Sequence, residues 1–344
     1  MGQNRTEISE LGEFGLIDRL GRHFKDHKHD STLKGIGDDA AVIKAGEGKV
    51  KVITTDMLVE GVHFDLSYVP LRHLGYKAVA VNISDVAAMN AVPEQITFSI
   101  AISNRFSVEA IEEIYSGIKI ACDNYKVDLI GGDTTSSASG LIVSVTAIGA
   151  ATENDIAYRS GANVNDILCV TGDLGGAYLG LQLLEREKQV FLANPDNQPE
   201  FEGKDYVLQK QLRPEARMDV IHSLKELGVK PTAMIDVSDG LASEIMHICK
   251  ASDCGAKLYG DKLPLDEVTL STAEEFNIDP ITCMLNGGEE YELLFTIKQE
   301  DFPKLKNHPD ISFIGHTTPK DAGVNLVTKS GTTVPVKAQG WVHF

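Results

Sequence analysis

Apolar residues recur at helical spacing over residues 12–29, through Phe14, Ile17, Leu20 and Phe24. That spacing predicts an amphipathic helix. A glycine-bearing turn follows at Gly35-Ile36-Gly37. The run 50–55 (VKVITT) predicts a strand ending at Asp56. Helical spacing returns over 71–91 through Leu74, Ala78, Val81, Asp85 and Met89. Beyond it the pattern predicts a strand at 96–102, a helix at 107–125, a strand at 127–130 ending in Gly131-Gly132-Asp133, and a long apolar strand at 141–150. Strand and helix thus alternate through the first half, as in α/β and α+β domains.

A second segment starts near 155–165. It opens with a strand at 166–171, the glycine-rich stretch from Gly172 to Gly176, and a helix over 175–186. Residues 190–206 have loop composition. Helices follow near 214–227 and 239–252, strands near 233–236, 256–259 and 291–297, and short strands with a tail from 311 on. A chain of 344 residues suits two domains at roughly 100–200 residues each.

Charge narrows the partners. The formal net charge is −18, which argues against nucleic acid and anionic membranes, since both need clustered positive charge. No apolar run is long enough to span a bilayer, and the polar, acidic start lacks the apolar core of a signal peptide. The five cysteines form no CxxC pair, which fits reduced thiols in a cytoplasm and argues against a disulfide or a structural zinc.

The position of the aspartates is more informative than their number. Gly37-Asp38-Asp39, Thr54-Thr55-Asp56, Gly131-Gly132-Asp133 and Asp236-Val-Ser238-Asp239-Gly240 place carboxylates at strand ends or in small-residue turns, and Asp85 follows Asn82-Ile-Ser in a helix. Each one singly reads as a helix cap or an Asx-turn. Brought together in one cleft they would repel strongly, and hard divalent cations relieve that repulsion. Mg²⁺ takes oxygen ligands and typically bridges carboxylates to substrate phosphates; so many aspartates suit several ions.

Familiar phosphate and hydrolase motifs are missing. There is no GxxxxGK[ST], GxSxG or HExxH. Gly35-Ile-Gly-Asp-Asp-Ala40 matches GxGxxA in form, but Asp38 and Asp39 would face a pyrophosphate where backbone donors are needed, so a Rossmann reading fails. The stretch Gly172-Asp-Leu-Gly-Gly176 reads as a tight strand-to-helix turn and only weakly as a phosphate cradle.

The ordered set of motifs resembles the thiamine-monophosphate kinase family, within the aminoimidazole-ribonucleotide-synthetase-like superfamily. It runs essentially end to end: Gly12-Glu-Phe-Gly-Leu-Ile17, Gly35-Ile-Gly-Asp-Asp-Ala40, Thr54-Thr-Asp-Met-Leu-Val-Glu-Gly-Val-His-Phe64, Lys77-Ala-Val-Ala-Val-Asn-Ile-Ser-Asp85, Leu129-Ile-Gly-Gly-Asp-Thr134, Arg159-Ser-Gly161, Asp236-Val-Ser-Asp-Gly-Leu241, Gly287-Gly-Glu-Glu-Tyr-Glu-Leu-Leu-Phe295 and Gly340-Trp-Val-His-Phe344. The resemblance implies a two-domain α/β (α+β) fold. A βαβ-rich domain over 1–155 would bind Mg/ATP and pair its sheet in a homodimer, and a larger α+β domain over 156–344 would complete the site. It also implies transfer of a phosphoryl group from ATP to thiamine monophosphate, giving thiamine diphosphate and ADP, in the cytoplasm.

By motif, the resemblance assigns Mg²⁺ to Asp39, Thr54, Thr55, Asp56, Asp85, Asp133, Asp236 and Asp239. It assigns ATP to Tyr115, Gly132, Asp133, Arg159 and Ser238, and the thiamine phosphate to His63, Glu289 and Trp341. Trp341 could stack on a cationic thiazolium or a pyrimidine. Glu290 stands where the family pattern has Asp, which leaves open whether Glu289 or Glu290 faces the ligand. No residue is assigned as a general base.

Two other readings remain. One is a superfamily member with another acceptor. Selenide chemistry would want an early reactive Cys, whereas the first is Cys122; hydrogenase maturation would want a C-terminal Cys, whereas the chain ends Trp-Val-His-Phe; and the purine-precursor enzyme lacks that Gly-Trp-Val-His-Phe ending. The other is an acidic metal-binding protein without turnover.

Overall fold

The computed structural model describes residues 8–338. The first half contains α1 (Ile8–Gly21), β1 (Thr32–Lys34), β2 (Ala41–Gly46), β3 (Lys49–Val59), α2 (Leu71–Ala88), β4 (Val92–Ile102), α3 (Val108–Tyr125), β5 (Asp128–Ser136) and β6 (Ile142–Thr152). Its six strands form one sheet in the order β1-β2-β3-β6-β4-β5. Only the β4–β5 pair in it is parallel, and α3 is the crossover that such a pair needs.

The second half runs β7 (Ile167–Thr171), α4 (Gly176–Ala193), α5 (Asp205–Leu212), α6 (Met218–Glu226), β8 (Ala233–Asp236), α7 (Leu241–Ser252), β9 (Cys254–Tyr259), α8 (Glu267–Glu275), α9 (Pro280–Asn286), β10 (Leu293–Ile297), α10 (Phe302–Leu305), β11 (Ile311–Pro319), β12 (Val324–Val327) and β13 (Thr333–Pro335). Its seven strands lie in the order β13-β12-β9-β11-β7-β10-β8. The two-domain α/β architecture expected from the sequence is therefore present, with one mixed sheet in each half.

Helix α2 holds the two halves together. Nearly every residue from Leu74 to Ala88 is buried. It packs on β3, β4 and β6 of the first sheet and also meets α3, α5, α6 and β8. The crossing with α3 is close because two glycines face each other's backbone. A Cβ on Gly75 would fall 2.0 Å from the Ile114 carbonyl oxygen, and one on Gly117 would fall 1.8 Å from that of Arg72. One apolar core runs from Val42 and Val52 through Val79 and Ile83 to Met234 and Phe295, so both sheets share it.

Some elements differ from the expected ones. Gly12 has φ 63 and kinks α1, which ends at Gly21 instead of 29. Its residues Phe14, Ile17 and Leu20 are 39%, 40% and 53% exposed. Helix α4 extends to Ala193, into a stretch read as loop, and the short helices α5, α8 and α9 carry no strong period. The two changes that matter most concern the aspartates. Strand β3 continues past Asp56 to Val59, and β5 continues through Gly131, Gly132 and Asp133 to Ser136. Asp56 and Asp133 therefore sit inside strands, where alternation decides which face each carboxylate takes.

Candidate active site

Asp39, Asp85 and Asp236 come together, each with a carboxylate oxygen within 4.8 Å of the other two. They arrive from three places. Asp39 follows the turn at Gly37, which has φ 113, just before β2. Asp85 lies on α2, and Asp236 ends β8. Asp39 and Asp236 are buried, while Asp85 and Asp56 are partly open to solvent.

The α2 segment Asn82-Ile-Ser-Asp85 supplies the supports. Ser84 Oγ donates to Asp236 Oδ2 at 2.6 Å, Asn82 Oδ1 accepts from the Asp56 amide at 3.0 Å, and Thr54 Oγ1 donates to Asp85. Asn82 and Ser84 went unassigned in the sequence, although polar residues inside an otherwise apolar helix were the available signal.

The electrostatics are unfavourable without a cation. Two unit charges at such a separation repel by about 3 kcal/mol at an effective dielectric of about 20. Burial raises the Asp85 pKa well above the usual carboxylate range, and the charges of Asp56, Asp236 and Asp39 add to it. Burial pushes Asp56 up to about 6 and Asp236 up to about 7, in both cases with help from Asp39. Asp39 is also raised by burial, against the pull of Arg159. The Asp39 Oδ2 atom is buried with no hydrogen-bond partner. An all-oxygen, partly open cluster with an unpartnered carboxylate oxygen fits a hard divalent cation.

Arg159 meets this cluster, donating from Nη2 and Nε to Asp39 Oδ1 at 2.6 and 3.2 Å. Asp38 accepts from the Arg159 amide at 3.0 Å and pairs with Lys34 at 3.1 Å, so its contacts are to the chain itself. Ser238 and Asp239 come two and three residues after Asp236 and are partly exposed. The Asp239 amide donates to Glu244 Oε1 at 3.0 Å. Glu244 is a buried carboxylate whose pKa burial and Asp239 push well up; it too went unassigned.

The pair Glu289 and Glu290 separates cleanly. Glu289 and Tyr291 both have positive φ, 62 and 55. Gly288 lies so close to Ser238 that a Cβ would sit 2.5 Å from its carbonyl oxygen. Glu290 turns inward, where Oε1 accepts from the amides of Gly175 and Ala177 at 2.7 and 3.1 Å. The glycine-rich turn before α4 is thus closed by the protein's own carboxylate. The Glu289 side chain is 27% exposed and is the member of the pair that reaches solvent. His63 is partly exposed, and its Nδ1 accepts from the Val59 amide at 3.0 Å, which leaves the proton of the neutral ring on Nε2.

Other expected site residues lie elsewhere. Register runs Asp56–Val145–Phe98–Gly132 across the sheet, and Met57–Ser144–Ser99–Asp133 beside it. Paired residues share a face. Asp56 and Gly132 therefore face α2, and Asp133 faces the opposite side with Met57 and Thr55. Thr55 Oγ1 donates to the Val145 carbonyl on that side, so its hydroxyl does not join Asp85. Three strand spacings, about 14 Å, separate β3 from β5. Tyr115 is 37% exposed and packs edge-on against Phe98 at 5.3 Å, beside Gly132. Trp341 lies outside the described residues.

Comparison with known proteins decides the family. The profile of the AIR synthase related protein, N-terminal domain, matches residues 37–151, and that of the C-terminal domain matches 163–325. The chain is 36% identical over 339 residues to the thiamine-monophosphate kinase of Bacillus subtilis, covering 97% of this chain and 100% of that protein. The chain belongs to the thiamine-monophosphate kinase family. The family member from Aquifex aeolicus is 35% identical over 340 residues, covering 98% of this chain and 99% of the relative. A solved structure described as AaThiL complexed with AMPPCP and TMP superposes with a TM-score of 0.85 at 32% identity, covering 99% of this chain and all of that one. Among the described residues no helix is long and apolar enough to cross a membrane.

Proposed function

We propose that this chain transfers the γ-phosphoryl group of ATP to the phosphate of thiamine monophosphate, releasing ADP and thiamine diphosphate. The observation that carries the reading is the carboxylate cluster of Asp39, Asp85 and Asp236, with Asp56 close enough to raise Asp85, in a chain related to thiamine-monophosphate kinases over nearly its whole length.

The bond between the γ-phosphorus and the oxygen it shares with the β-phosphate breaks. A new bond forms from an acceptor phosphate oxygen to that phosphorus. The acceptor is a phosphate monoester whose second pKa is about 6, so at neutral pH it is already an anionic nucleophile and no general base is required. The task is to hold two polyanions in line. Asp39, Thr54, Asp56, Asp85, Asp236 and Asp239 would hold Mg²⁺, which when bound neutralises phosphate charge. Arg159 would exchange Asp39 for a nucleotide phosphate, and Ser238 would add a contact to the nucleotide. His63 would contact the acceptor, and Glu289 would offer an acceptor and a negative charge to its thiamine moiety.

The functional unit on this reading is a homodimer in the cytoplasm, with residues 1–155 binding Mg/ATP and pairing, and 156–344 completing the site. Strand β5 is exposed along its whole length, and Met57 on the face shared with Thr55 and Asp133 is 56% exposed. A second copy packed on that face would set its own β5, with Asp133, against the side of the sheet that carries Met57 and Thr55.

The test is ADP release from ATP and Mg²⁺ with thiamine monophosphate, with free thiamine and no acceptor as controls. Release that needs thiamine monophosphate, with thiamine diphosphate accumulating, supports the reading. Metal-dependent ATP binding without such release assigns the chain another acceptor.

A further inference from the structure

Lys77 is a lysine inside the molecule. Its side chain is 5% exposed, in the middle of α2. A buried ammonium is costly unless paired. Its Nζ lies 2.9 Å from Glu289 Oε1 and donates to the Gln211 carbonyl at 3.2 Å. Gln211 is buried on α5, and its Nε2 donates to Glu289 Oε2 at 2.7 Å. Each oxygen of Glu289 is therefore held by a different element. The Glu289 amide is fixed as well, donating to the Ser238 carbonyl at 2.7 Å. A carboxylate has about four acceptor positions; the clamp uses two, and the exposed side of Glu289 keeps the rest for a ligand.

The same helix carries the metal-facing residues. Lys77 and Asp85 are eight positions apart, about 12 Å along a helix axis. A buried helix is a rigid spacer.

We propose that Lys77 is a positioning residue for the acceptor. With Gln211 it locks the Glu289 carboxylate in the orientation that meets the thiamine moiety, and through α2 it sets the distance from that carboxylate to the cluster around Asp85. The inference rests on Glu289 facing the acceptor, as in the function proposed above.

The experiment measures kcat and both KM values for Lys77→Met, Gln211→Leu, Glu289→Gln and the double variant Lys77→Met/Glu289→Gln. In Lys77→Met the KM for thiamine monophosphate should rise about tenfold while that for ATP stays within about twofold. The double variant should cost no more than the larger single, because both changes remove one unit. Additive losses, or equal rises in both KM values, overturn the proposal. If Lys77→Met does not fold, Gln211→Leu opens the clamp from the other side and must show the same split. An acceptor KM unchanged in Glu289→Gln overturns the placement of Glu289. A KM raised there but unchanged in Lys77→Met overturns the role of Lys77 alone.

Discussion

Glu292 and Asp236 are both buried carboxylates, 4% and 3% exposed, and the chain surrounds them in opposite ways. Glu292 is clasped by Lys210 Nζ at 2.8 Å and Arg217 Nη1 at 2.7 Å. Burial pushes its pKa up, but those two cations outweigh it and hold it below the ordinary value. Asp236 has a hydroxyl from Ser84 and three neighbouring aspartates, with Arg159 engaged on Asp39. The first acid group carries its own counter-ions and fastens β10 to α5 and to Arg217 at the start of α6. The second lacks enough of them, and on the proposed function external cations would make up the difference. An acid cluster left short of charge compensation marks the site better than acidity itself.

The contrast breaks first at Asp85. Replacing it with Asn should lower turnover about a thousandfold, the scale of losing a group that organises transition-state charge. The metal-free protein should melt higher than the unaltered chain, because a repulsive charge is gone. ADP release and thermal melting without Mg²⁺ check both; retained Mg²⁺-dependent turnover would sink the metal role.

Arg217→Met should do the reverse. It leaves Glu292 with one cation, and breaking a buried pair costs about 3 kcal/mol. Denaturant unfolding should show that loss, with turnover changing far less than in Asp85→Asn. If stability is unchanged, Glu292 does not need both cations.

A mixing experiment sharpens the difference between the two faces of the first sheet. Asp133→Asn and Asp85→Asn chains, each inactive alone, would regain about a quarter of full activity when refolded together only if Asp133 completes a partner's site, since half of any dimers would be mixed and each would hold one intact site. No recovery would mean that Asp133 does not act across a dimer.

Much of this site was legible in the sequence, because its residues sit in short motifs with strong local chemistry. Asp39, Asp56, Asp85 and Asp236 fall in small-residue turns or beside polar helix positions, and their convergence followed from the resemblance. The face taken by Asp133 was not legible. Gly131-Gly132 reads as a turn, yet β5 runs through it, and without a Cβ Gly132 admits the Phe98 carbonyl, which would sit 1.7 Å from one. Lys77 was hidden for another reason: a lysine reads as surface until Gln211 and Glu289 are seen around it. The opposed directions of Glu289 and Glu290 depend on two positive φ angles in residues other than glycine, a strain that local propensity opposes and tertiary packing imposes.

The smallest expected effect lies in pH. Asp56 titrates at about 6 and Asp236 at about 7 in the folded chain, against an ordinary 3.8. The folded state therefore holds more protons than the unfolded one between those values. Their contribution to metal-free stability is complete below pH about 4 and is lost as pH rises through 6 to 7. On the proposed function Mg²⁺ would compete with those protons, since it would bind the ionised carboxylates. The rise in melting temperature on adding Mg²⁺ should thus be slight at pH 5 and grow through pH 6 to 7. Glu292, held below its ordinary value, adds pH dependence only in the acid range and cannot mimic this. Asp236→Asn should flatten the upper part of the curve. A Mg²⁺ shift of constant size from pH 5 to 8 would mean that these carboxylates are already ionised in the folded chain, and that Arg159 compensates the cluster more fully than its contacts with Asp39 suggest.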